Sequence, residues 1–500
     1  MRIGSLVMVL AALGAAVPAW GYNFTISTVA KSGDSWNGSN SFDSFGTPAV
    51  DGAGNVTFDA GLVGGNNGIW SLYNGTQTTV KEQLDALNFA TAVNGQIGYS
   101  GLNTLLGKYD LRVGAPNTVA GAGGLVAQQA QSAPGTAGDV FSNFGDPAIT
   151  SGGVAAFTAS VSSGDTGVWR GTAGGTPSKI ALASELAIGT ITSARINNIG
   201  TVAFGGTVAS GGNLSQNDGL PVDGIWVGTP GLVTSVAQVG GTYTSLGRPS
   251  INNAGTVVFG GATASSEAIY TYSGGTLSAL VSKNDIAPGV GKFDSFQLTD
   301  NTSALISTAV PNINKTGQVV FYAKVKDASG NPFSTTTDES LWESTPTGFK
   351  LIAREGDLVG IPGLAGVRFA TNDQVAYMPT TGAINASGQV AFLAGLFDAA
   401  SPRVGDSGIF VWNPDGTLSL VARVGDTLAG QTITSLSLFE NGGGEDGVYT
   451  GFTDAGAVAF QAMLADNTQQ GVFFAEAVPE PASLALLGIG AVGLLGRRRK

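Results

Sequence analysis

The sequence has 500 residues, 43% of them hydrophobic and only 12% charged, with a formal net charge of −12. This acidic balance disfavours nucleic acids and anionic membrane surfaces as partners, because like charges repel. The chain contains neither Cys nor His, which excludes disulfides, thiolate chemistry, the Ser-His-Asp triad and imidazole metal ligands. An enzyme built from this sequence would have to use carboxylates, Lys, Tyr or a hard metal ion.

The first 21 residues have the order of a secretory signal peptide. Arg2 precedes an apolar stretch at residues 6–17, and the small residues Ala19 and Gly21 follow it. A positive start, a hydrophobic middle and a small-residue end are typical of a cleaved export signal. Cleavage after Ala19 or after Gly21 fits this pattern equally well.

A nine-residue pattern recurs through residues 22–477. Its clearest copies are INNAGTVVF at 251–259 and INASGQVAF at 384–392. The Asn bonds its own backbone, the Gly supplies a positive φ, and the Val-x-Phe places two large side chains on one face, so each copy predicts a turn that leads into a strand. Eight copies are recognisable, with key glycines Gly54, Gly95, Gly153, Gly200, Gly255, Gly317, Gly388 and Gly456.

Two further strands are predicted in each repeat unit. A Gly-Ile-Trp type segment follows most copies, as at 68–70 and 224–226, and a third segment such as LSLVARVGD at 418–426 closes most units. Short turns such as Asn-Pro-Asp-Gly at 413–416 join the second and third segments in the manner of β-hairpins. One unit is therefore three or four antiparallel strands.

The two ends of the array predict how it closes. The last unit stops at residue 474 without its third strand, whereas residues 24–34 have the form of that missing strand. A chain whose first strand completes its last unit forms a ring, which favours a β-propeller over an open solenoid. We expect an all-β propeller of eight blades, with seven as the alternative because the copy around Gly95 is poor.

The apparent catalytic and metal motifs are better explained as turns. Residues 405–408 read Gly-Asp-Ser-Gly, like a serine-protease nucleophile segment, but related sequences occupy the same position in other repeats. Segments 51–55, 327–331 and 441–446 offer Asp, Asn and Glu oxygens, although none has the complete calcium-loop pattern. We therefore expect no catalytic residue, no metal site and no cofactor, with calcium the one ion left open.

The aromatic residues fall into two groups. Trp70, Trp169, Trp226 and Trp342 share one repeat position, for which packing between blades is the favoured interpretation over a glycan-binding platform. Outside that position, the candidate ligand contacts on the surface are Trp36, Trp412 and Tyr449.

Four aspartates follow the third strands. Asp34, Asp285, Asp357 and Asp426 are predicted to lie on one rim of the propeller. Capping of turns is the favoured role, while an acid/base pair of the kind that glycoside hydrolases use is the alternative.

Residues 478–500 form a tripartite tail. The motif Val478, Pro479, Glu480 and Pro481 precedes an apolar run at 482–496, and the chain ends with the basic residues Arg497, Arg498, Arg499 and Lys500. As a helix the apolar run would span about 22 Å, short of the roughly 30 Å bilayer core, and the four cations would stay on the cytoplasmic side. The tail resembles the PEP-CTERM sorting signal of Gram-negative bacteria.

The resemblance implies an address rather than an activity. It implies partners in the secretion machinery and exosortase, transient insertion in the inner membrane through the tail, and then residence at the cell surface or in the extracellular matrix. The repeat and the tail together resemble PEP-CTERM proteins with tandem NxxGxxxF-type repeats, which implies association with exopolysaccharide or biofilm. Three hypotheses follow: a non-enzymatic module that binds exopolysaccharide or a surface protein, a purely structural matrix protein, or a carboxylate-based glycan hydrolase or lyase.

Overall fold

The computed structural model describes most of the region between the two predicted export segments. The described residues are 23–35, 40–65, 67–82, 84–91, 95–103, 106–208, 222–296, 310–333, 337–371, 381–403, 405–440, 442, 445–448, 450–465 and 469–478. The predicted signal peptide and the tail beyond Val478 lie outside these ranges. Within them, no helix is long and apolar enough to span a membrane.

The described chain is all-β and forms eight sheets, each of which is one blade of a propeller. In a complete blade four antiparallel strands follow one another from the inside to the outside of the ring, and the inner strand is often split in two. Blades 1 to 4 consist of β2 (Phe42–Phe45), β3 (Ala49–Val50), β4 (Val56–Leu62), β5 (Asn67–Tyr73) and β6 (Thr76–Glu82); β7 (Leu84–Thr91), β8 (Ile97–Asn103), β9 (Lys108–Gly114) and β10 (Leu125–Gln128); β11 (Phe141–Phe144), β12 (Ala148–Ile149), β13 (Val154–Val161), β14 (Thr166–Thr172) and β15 (Ser178–Leu182); and β16 (Thr190–Ile196), β17 (Val202–Thr207), β18 (Gly224–Thr229) and β19 (Leu232–Gln238).

The second half of the ring repeats this arrangement. Blades 5 to 8 consist of β20 (Tyr243–Leu246), β21 (Ser250–Ile251), β22 (Val257–Thr263), β23 (Glu267–Ser273) and β24 (Thr276–Ser282); β25 (Ile286–Ala287), β26 (Gly291–Ser295), β27 (Asn312–Ile313), β28 (Val319–Lys326), β29 (Glu339–Thr345) and β30 (Gly348–Arg354); β31 (Arg368–Phe369), β32 (Ala383–Ile384), β33 (Val390–Phe397), β34 (Ser407–Trp412) and β35 (Leu418–Arg423); and β36 (Thr427–Leu428), β37 (Gln431–Ser437), β38 (Val458–Leu464), β39 (Gln469–Val478) and β1 (Asn23–Lys31). Two short 3₁₀ turns, Ala122–Gly124 and Ser184–Leu186, complete the described elements.

The first and last strands close the ring. β1 pairs antiparallel with β39, from Asn23 opposite Val478 to Lys31 opposite Gly471. The predicted closure by the N-terminal strand and the predicted eight blades are therefore both confirmed. Because β1 pairs with β39, the last blade has its full set of strands and β39 keeps no unpaired edge where the ring closes.

The repeated tryptophans pack inside the ring, as the favoured interpretation predicted. Trp70, Trp169, Trp226 and Trp342 are all fully buried. The ring of Trp70, for example, meets Phe42 edge to face at 5.2 Å between centroids, an arrangement that favours aromatic pairs.

The expectation that Trp412 lies on the surface is wrong. Only 3% of this residue is exposed, and it packs with Phe392 and Phe410 in the core of blade 7. The reason is strand periodicity: Trp412 follows Phe410 by two residues in β34, and alternate residues of a strand face the same side.

The two edges of the ring carry different turns. The turns of the repeated motif, which join the first and second strands of a blade, share one edge with the hairpins between the third and fourth strands. We call this edge the asparagine-turn rim. The opposite edge, the aspartate-turn rim, carries the turns that lead from one blade to the next, including those at Asp34, Asp285, Asp357 and Asp426.

The motif asparagines form a ladder between blades. Asn252 accepts a hydrogen bond from Thr256 N within its own turn (3.0 Å), and its Nδ2 donates to the backbone oxygen of Asn314, the equivalent residue of the next blade (3.1 Å). The same bond recurs over four consecutive interfaces. The donors and acceptors are Asn197 to Asn252, Asn252 to Asn314, Asn314 to Asn385, and Asn385 to Thr453.

Candidate functional site

One segment of blade 8 runs along the inner wall of the ring. Residues 438–451 connect β37 to the last motif turn, and we call them the inner belt. Of these residues the structure describes 438–440, 442, 445–448, 450 and 451. In the other blades whose connection at this point is fully described, such as blade 5, only a few residues separate the two halves of the inner strand.

The inner belt binds six other blades in succession. A segment of 14 residues that contacts blades all around a ring must line its centre. Three contacts come from the first part of the belt: Glu440 accepts from Leu393 N in blade 7, Gly442 N donates to Asn312 Oδ1 in blade 6, and Glu445 accepts from Asn253 N in blade 5. In the second part of the belt, backbone oxygens are the acceptors. Asp446 O accepts from Ile196 N in blade 4, Gly447 O accepts from Ile149 N in blade 3, and Thr450 O accepts from Val50 N in blade 1.

Gly447 brings the belt into close contact with the wall of the ring. Its φ is +71°, and a Cβ atom placed there would lie 2.8 Å from the backbone oxygen of Ile196 and 2.9 Å from the backbone nitrogen of Ile149. Only glycine combines this conformation with so short a distance to neighbouring backbone. The belt is therefore fitted to the inner strands of blades 3 and 4.

The belt carries a carboxyl group that titrates near neutral pH. Glu440 is enclosed between blades 6 and 7, where its backbone oxygen accepts from Asn312 Nδ2 at 3.0 Å. Burial raises the pKa of Glu440 to about 8, and the hydrogen bond from Leu393 N only partly offsets this effect. A carboxyl group with such a pKa is largely protonated at neutral pH.

Two further acids of the belt are held by specific partners. Asp446 is buried, and its side chain accepts from Ser250 Oγ at 2.9 Å. Burial raises the pKa of Asp446, and the nearby Arg195 opposes that rise. Glu445 accepts from both N and Nδ2 of Asn253, each at 2.9 Å, and burial also raises its pKa.

These contacts make the belt an internal tie rather than an open cleft. Its carboxyl groups are directed at the blades, where backbone and side-chain donors bind them. Chemically the arrangement can hold and release protons, and it can couple the blades that it contacts.

The predicted turns are confirmed at two of the three calcium candidates, whereas in the Gly-Asp-Ser-Gly segment Gly405 is a turn residue but Ser407 and Gly408 begin β34. Asp406 forms a buried ion pair with Arg423, in which Arg423 Nε donates to Oδ1 at 2.9 Å. Asp51 and Asp327 each accept bonds from the backbone and side chain of the asparagine four residues on. The third candidate, 441–446, belongs to the inner belt. The described residues contain no group of three or more acidic side chains arranged to hold a metal ion.

The four rim aspartates close turns of one kind, in which the aspartate N–H donates to the carbonyl three residues earlier. Asp34 and Asp285 also accept from the backbone N–H three residues earlier, at 2.9 and 2.7 Å. Asp357 pairs with Arg354 at 2.7 Å, and Asp426 lies 3.5 Å from Arg403. The predicted placement on one rim is confirmed, and the predicted capping role is confirmed for Asp34 and Asp285, whereas the side chains of Asp357 and Asp426 form ion pairs instead.

The other predicted contact residues lie outside the described part of the chain. These are Trp36, Tyr449, Pro479, Glu480, Pro481 and the four basic residues at 497–500. Val478, the first residue of the predicted sorting motif, is described and ends β39.

A groove lies between blades 2 and 3 at the asparagine-turn rim. Its volume is about 500 Å³, and glycine, alanine, valine, threonine and one glutamine line it, among them Gln96, Val113, Gly153 and Thr172. Its lining offers backbone groups and hydroxyls rather than charges or aromatic faces. This is a weak basis for recognition of any particular ligand.

The fold and tail define an exported eight-bladed β-propeller. The chain matches a family of unknown function (DUF7453) over residues 112–240 and 176–485, and it belongs to that family. Residues 477–500 match the PEP-CTERM protein-sorting motif. The motif marks the chain as an exported, cell-surface-directed protein that exosortase processes.

Similarity to other known proteins is distant. None of the curated proteins compared with the chain matches it. The β-propeller domain of the Trilobed protease from Pyrococcus furiosus is 10% identical over 77% of this chain and 100% of that one, with a TM-score of 0.42. A catalytically inactive virginiamycin B lyase from Staphylococcus aureus with quinupristin is 9% identical over 91% and 100%, with a TM-score of 0.35. The lectin of Aleuria aurantia is 12% identical over 69% and 97%, with a TM-score of 0.29. These likenesses are too distant to indicate an activity or a ligand for this chain.

Proposed function

We propose that this protein is a non-enzymatic interaction module of the cell surface or extracellular matrix, where it associates with exopolysaccharide. The chain is exported, held transiently in the inner membrane of a Gram-negative bacterium through residues 482–496, and released to the surface by exosortase.

The inner belt is the observation that carries this proposal. The described residues of the inner belt bind the inner walls of six blades and line the central channel. A glycan hydrolase or lyase would have to use the rim carboxylates as its acid and base. These carboxylates are instead engaged in turns and ion pairs of their own blades. Both observations support binding at the outer loops over chemistry in the channel.

Co-sedimentation with polymer length measured in the same tube tests the proposal. Mature protein, about residues 22 to 477, is mixed with exopolysaccharide isolated from a producer that carries PEP-CTERM proteins. Saturable depletion of the protein with intact polymer is the expected result. Shortened polymer would instead support a glycan hydrolase or lyase, and no depletion would support a structural matrix protein or a partner that is not a glycan.

Two matched sets of variants locate the contact. Trp36→Ala and Tyr449→Ala remove the remaining candidate aromatics. Trp36→Ala is expected to weaken depletion several-fold, because aromatic faces stack on sugar rings. Position 449 belongs to the inner belt, so Tyr449→Ala is expected to leave depletion unchanged, and a loss there would instead favour binding in the channel. Ile199→Ala and Leu232→Ala, at exposed positions of the asparagine-turn rim, serve as controls and are expected to bind like the unmodified protein. Equal binding by all four variants would exclude these aromatics as the contact.

A further inference from the structure

The two ends of the described chain leave the ring on the same rim. β39 is the third strand of blade 8 and runs from Gln469 to Val478, towards the asparagine-turn rim. Asn23, the first residue of β1, lies opposite Val478. At the other end of this pair, Lys31 lies opposite Gly471, next to the turn at Asp34 on the aspartate-turn rim.

Very little chain separates this exit point from the apolar run of the tail. Only Pro479, Glu480 and Pro481 lie between Val478 and residue 482. Four steps of the chain therefore separate the Cα atoms of Val478 and residue 482, and four steps span at most about 14 Å in any conformation. The two prolines restrict the backbone further, because each fixes its own φ and disfavours compact conformations of the preceding residue.

We propose that the asparagine-turn rim is the surface that faces the lipid bilayer while the tail is inserted, and that the aspartate-turn rim faces away from it. This inference rests on the membrane-held stage of the proposed function. A tether of at most about 14 Å is shorter than the thickness of the ring, since the six steps along β4 from Val56 to Leu62 alone extend over about 20 Å. The ring cannot turn its other rim to the membrane on so short a tether.

The placement has a consequence for recognition. The turns at Asp34, Asp285, Asp357 and Asp426, together with the loops between second and third strands, are the part of the protein that a partner in the matrix meets first. The ladder asparagines and the groove between blades 2 and 3 lie on the membrane side during this stage.

Single-cysteine reporters test the orientation, since the native chain has no cysteine. Ala53→Cys and Val63→Cys place the same fluorophore at the two ends of β4 in blade 1, next to blade 8, and both positions are exposed. The chain from residue 22 to 500 is reconstituted in phosphatidylethanolamine–phosphatidylglycerol vesicles that contain a headgroup-attached nitroxide quencher. We expect at least two-fold stronger quenching of the fluorophore at position 53 than at position 63.

Two controls separate the possible failures. A chain that ends at Val478 should neither float with the vesicles nor be quenched, and a flexible Gly-Ser insertion between Val478 and Pro479 should reduce the contrast between the two positions. Flotation of the full chain with equal quenching, or with stronger quenching at position 63, would overturn the orientation alone. If the difference in quenching between positions 53 and 63 survives the insertion, the short tether is not the cause of the orientation. Failure of the full chain to float would overturn the membrane-held stage itself and the orientation with it.

Discussion

The buried side chain of Asn252 donates a hydrogen bond to the backbone oxygen of Asn314, 62 residues away in the next blade. The same side chain accepts from Thr256 N in its own turn. One residue thus shapes a local turn and joins two blades, and its amide provides both the acceptor and the donor that these roles require.

Replacing Asn252 by aspartate tests the bond between the blades separately from the turn. The new carboxylate keeps the acceptor for Thr256 N but lacks the donor to Asn314, so a buried carbonyl faces a negative charge. We expect N252D to lower the free energy of unfolding by about 1–3 kcal/mol, measured by urea unfolding at neutral pH. N117D changes an exposed asparagine in the same way and should leave stability within about 0.5 kcal/mol. Equal effects of the two changes would contradict a role for the ladder.

Glu440 of the inner belt and Glu343, a fully buried residue of β29 in blade 6, are expected to make stability fall as pH rises. Burial raises the pKa of Glu440 to about 8 and that of Glu343 to about 7, from ordinary values near 4.5. Because the folded state holds these protons more tightly than the unfolded state, their contribution is complete below pH 4.5 and is lost as pH rises through 7 to 8.

The variants E440Q and E343Q separate the two contributions. E440Q should remove the fall in stability at the higher pH. E343Q should remove the fall in stability at the lower pH and leave the fall that Glu440 causes unchanged. Each carboxyl group is expected to contribute on the order of a few kcal/mol over its range. Thermal unfolding at a series of pH values between 5 and about 9 measures this, and an unchanged pH profile in E440Q would contradict the burial of a protonated Glu440.

Gly447 should tolerate no side chain. An alanine there would place Cβ 2.8 Å from Ile196 O and 2.9 Å from Ile149 N, in a backbone conformation that favours glycine. We expect G447A to destabilise the protein by about 2–4 kcal/mol, since backbone cannot move aside cheaply.

Gly416 provides the matched control for this change. Its φ is +90°, and nothing lies within 4 Å of a Cβ atom placed there. G416A therefore measures the cost of the backbone conformation alone, about 1 kcal/mol. If G447A and G416A lower the urea midpoint equally, the close contact of the inner belt contributes nothing.

The ion pair of Asp406 and Arg423 is expected to be sensitive to removal of one partner. The two side chains are 1% and 5% exposed, so D406N leaves a buried guanidinium without its carboxylate. We expect a loss of about 3–5 kcal/mol in D406N and a much smaller loss in D406L/R423M, where neither charge remains. S407A, in the same Gly-Asp-Ser-Gly segment, should have little effect on stability. A full loss in the double variant would show that packing, not charge, is what D406N disturbs.

The sequence predicts the blades well because their determinants are local. A glycine at positive φ and a Val-x-Phe alternation fix each turn and strand, as at Gly255, Val257 and Phe259. Sequence reasoning missed the hydrogen bond that Asn252 Nδ2 donates to the next blade. The local turn does not require this donor, because aspartate would serve the turn equally well. The preference for asparagine at four of these positions was the available signal.

The inner belt could not be predicted in the same way. It has no repeat, and most of its partners are backbone N–H groups such as those of Ile149 and Ile196, which every sequence possesses. The available signals were the extra length before Phe452 and three acids in a segment poor in other charges. Trp412 carries a signal of its own: it follows Phe410 by two residues in β34, and strand alternation places both side chains on the same buried face.

The pairing of Ser27 with Phe474 spans 447 positions of the chain, and it sets an order of events during biosynthesis. The first strand must remain without its partner until nearly the whole polypeptide has been made and exported, and the belt that ties the blades is also among the last segments to emerge. A product that ends before residue 438 therefore lacks the inner belt, the final strand and the sorting motif together. A polypeptide can be both a closed ring and marked for export processing only when it includes β39 and the sorting motif that follows it.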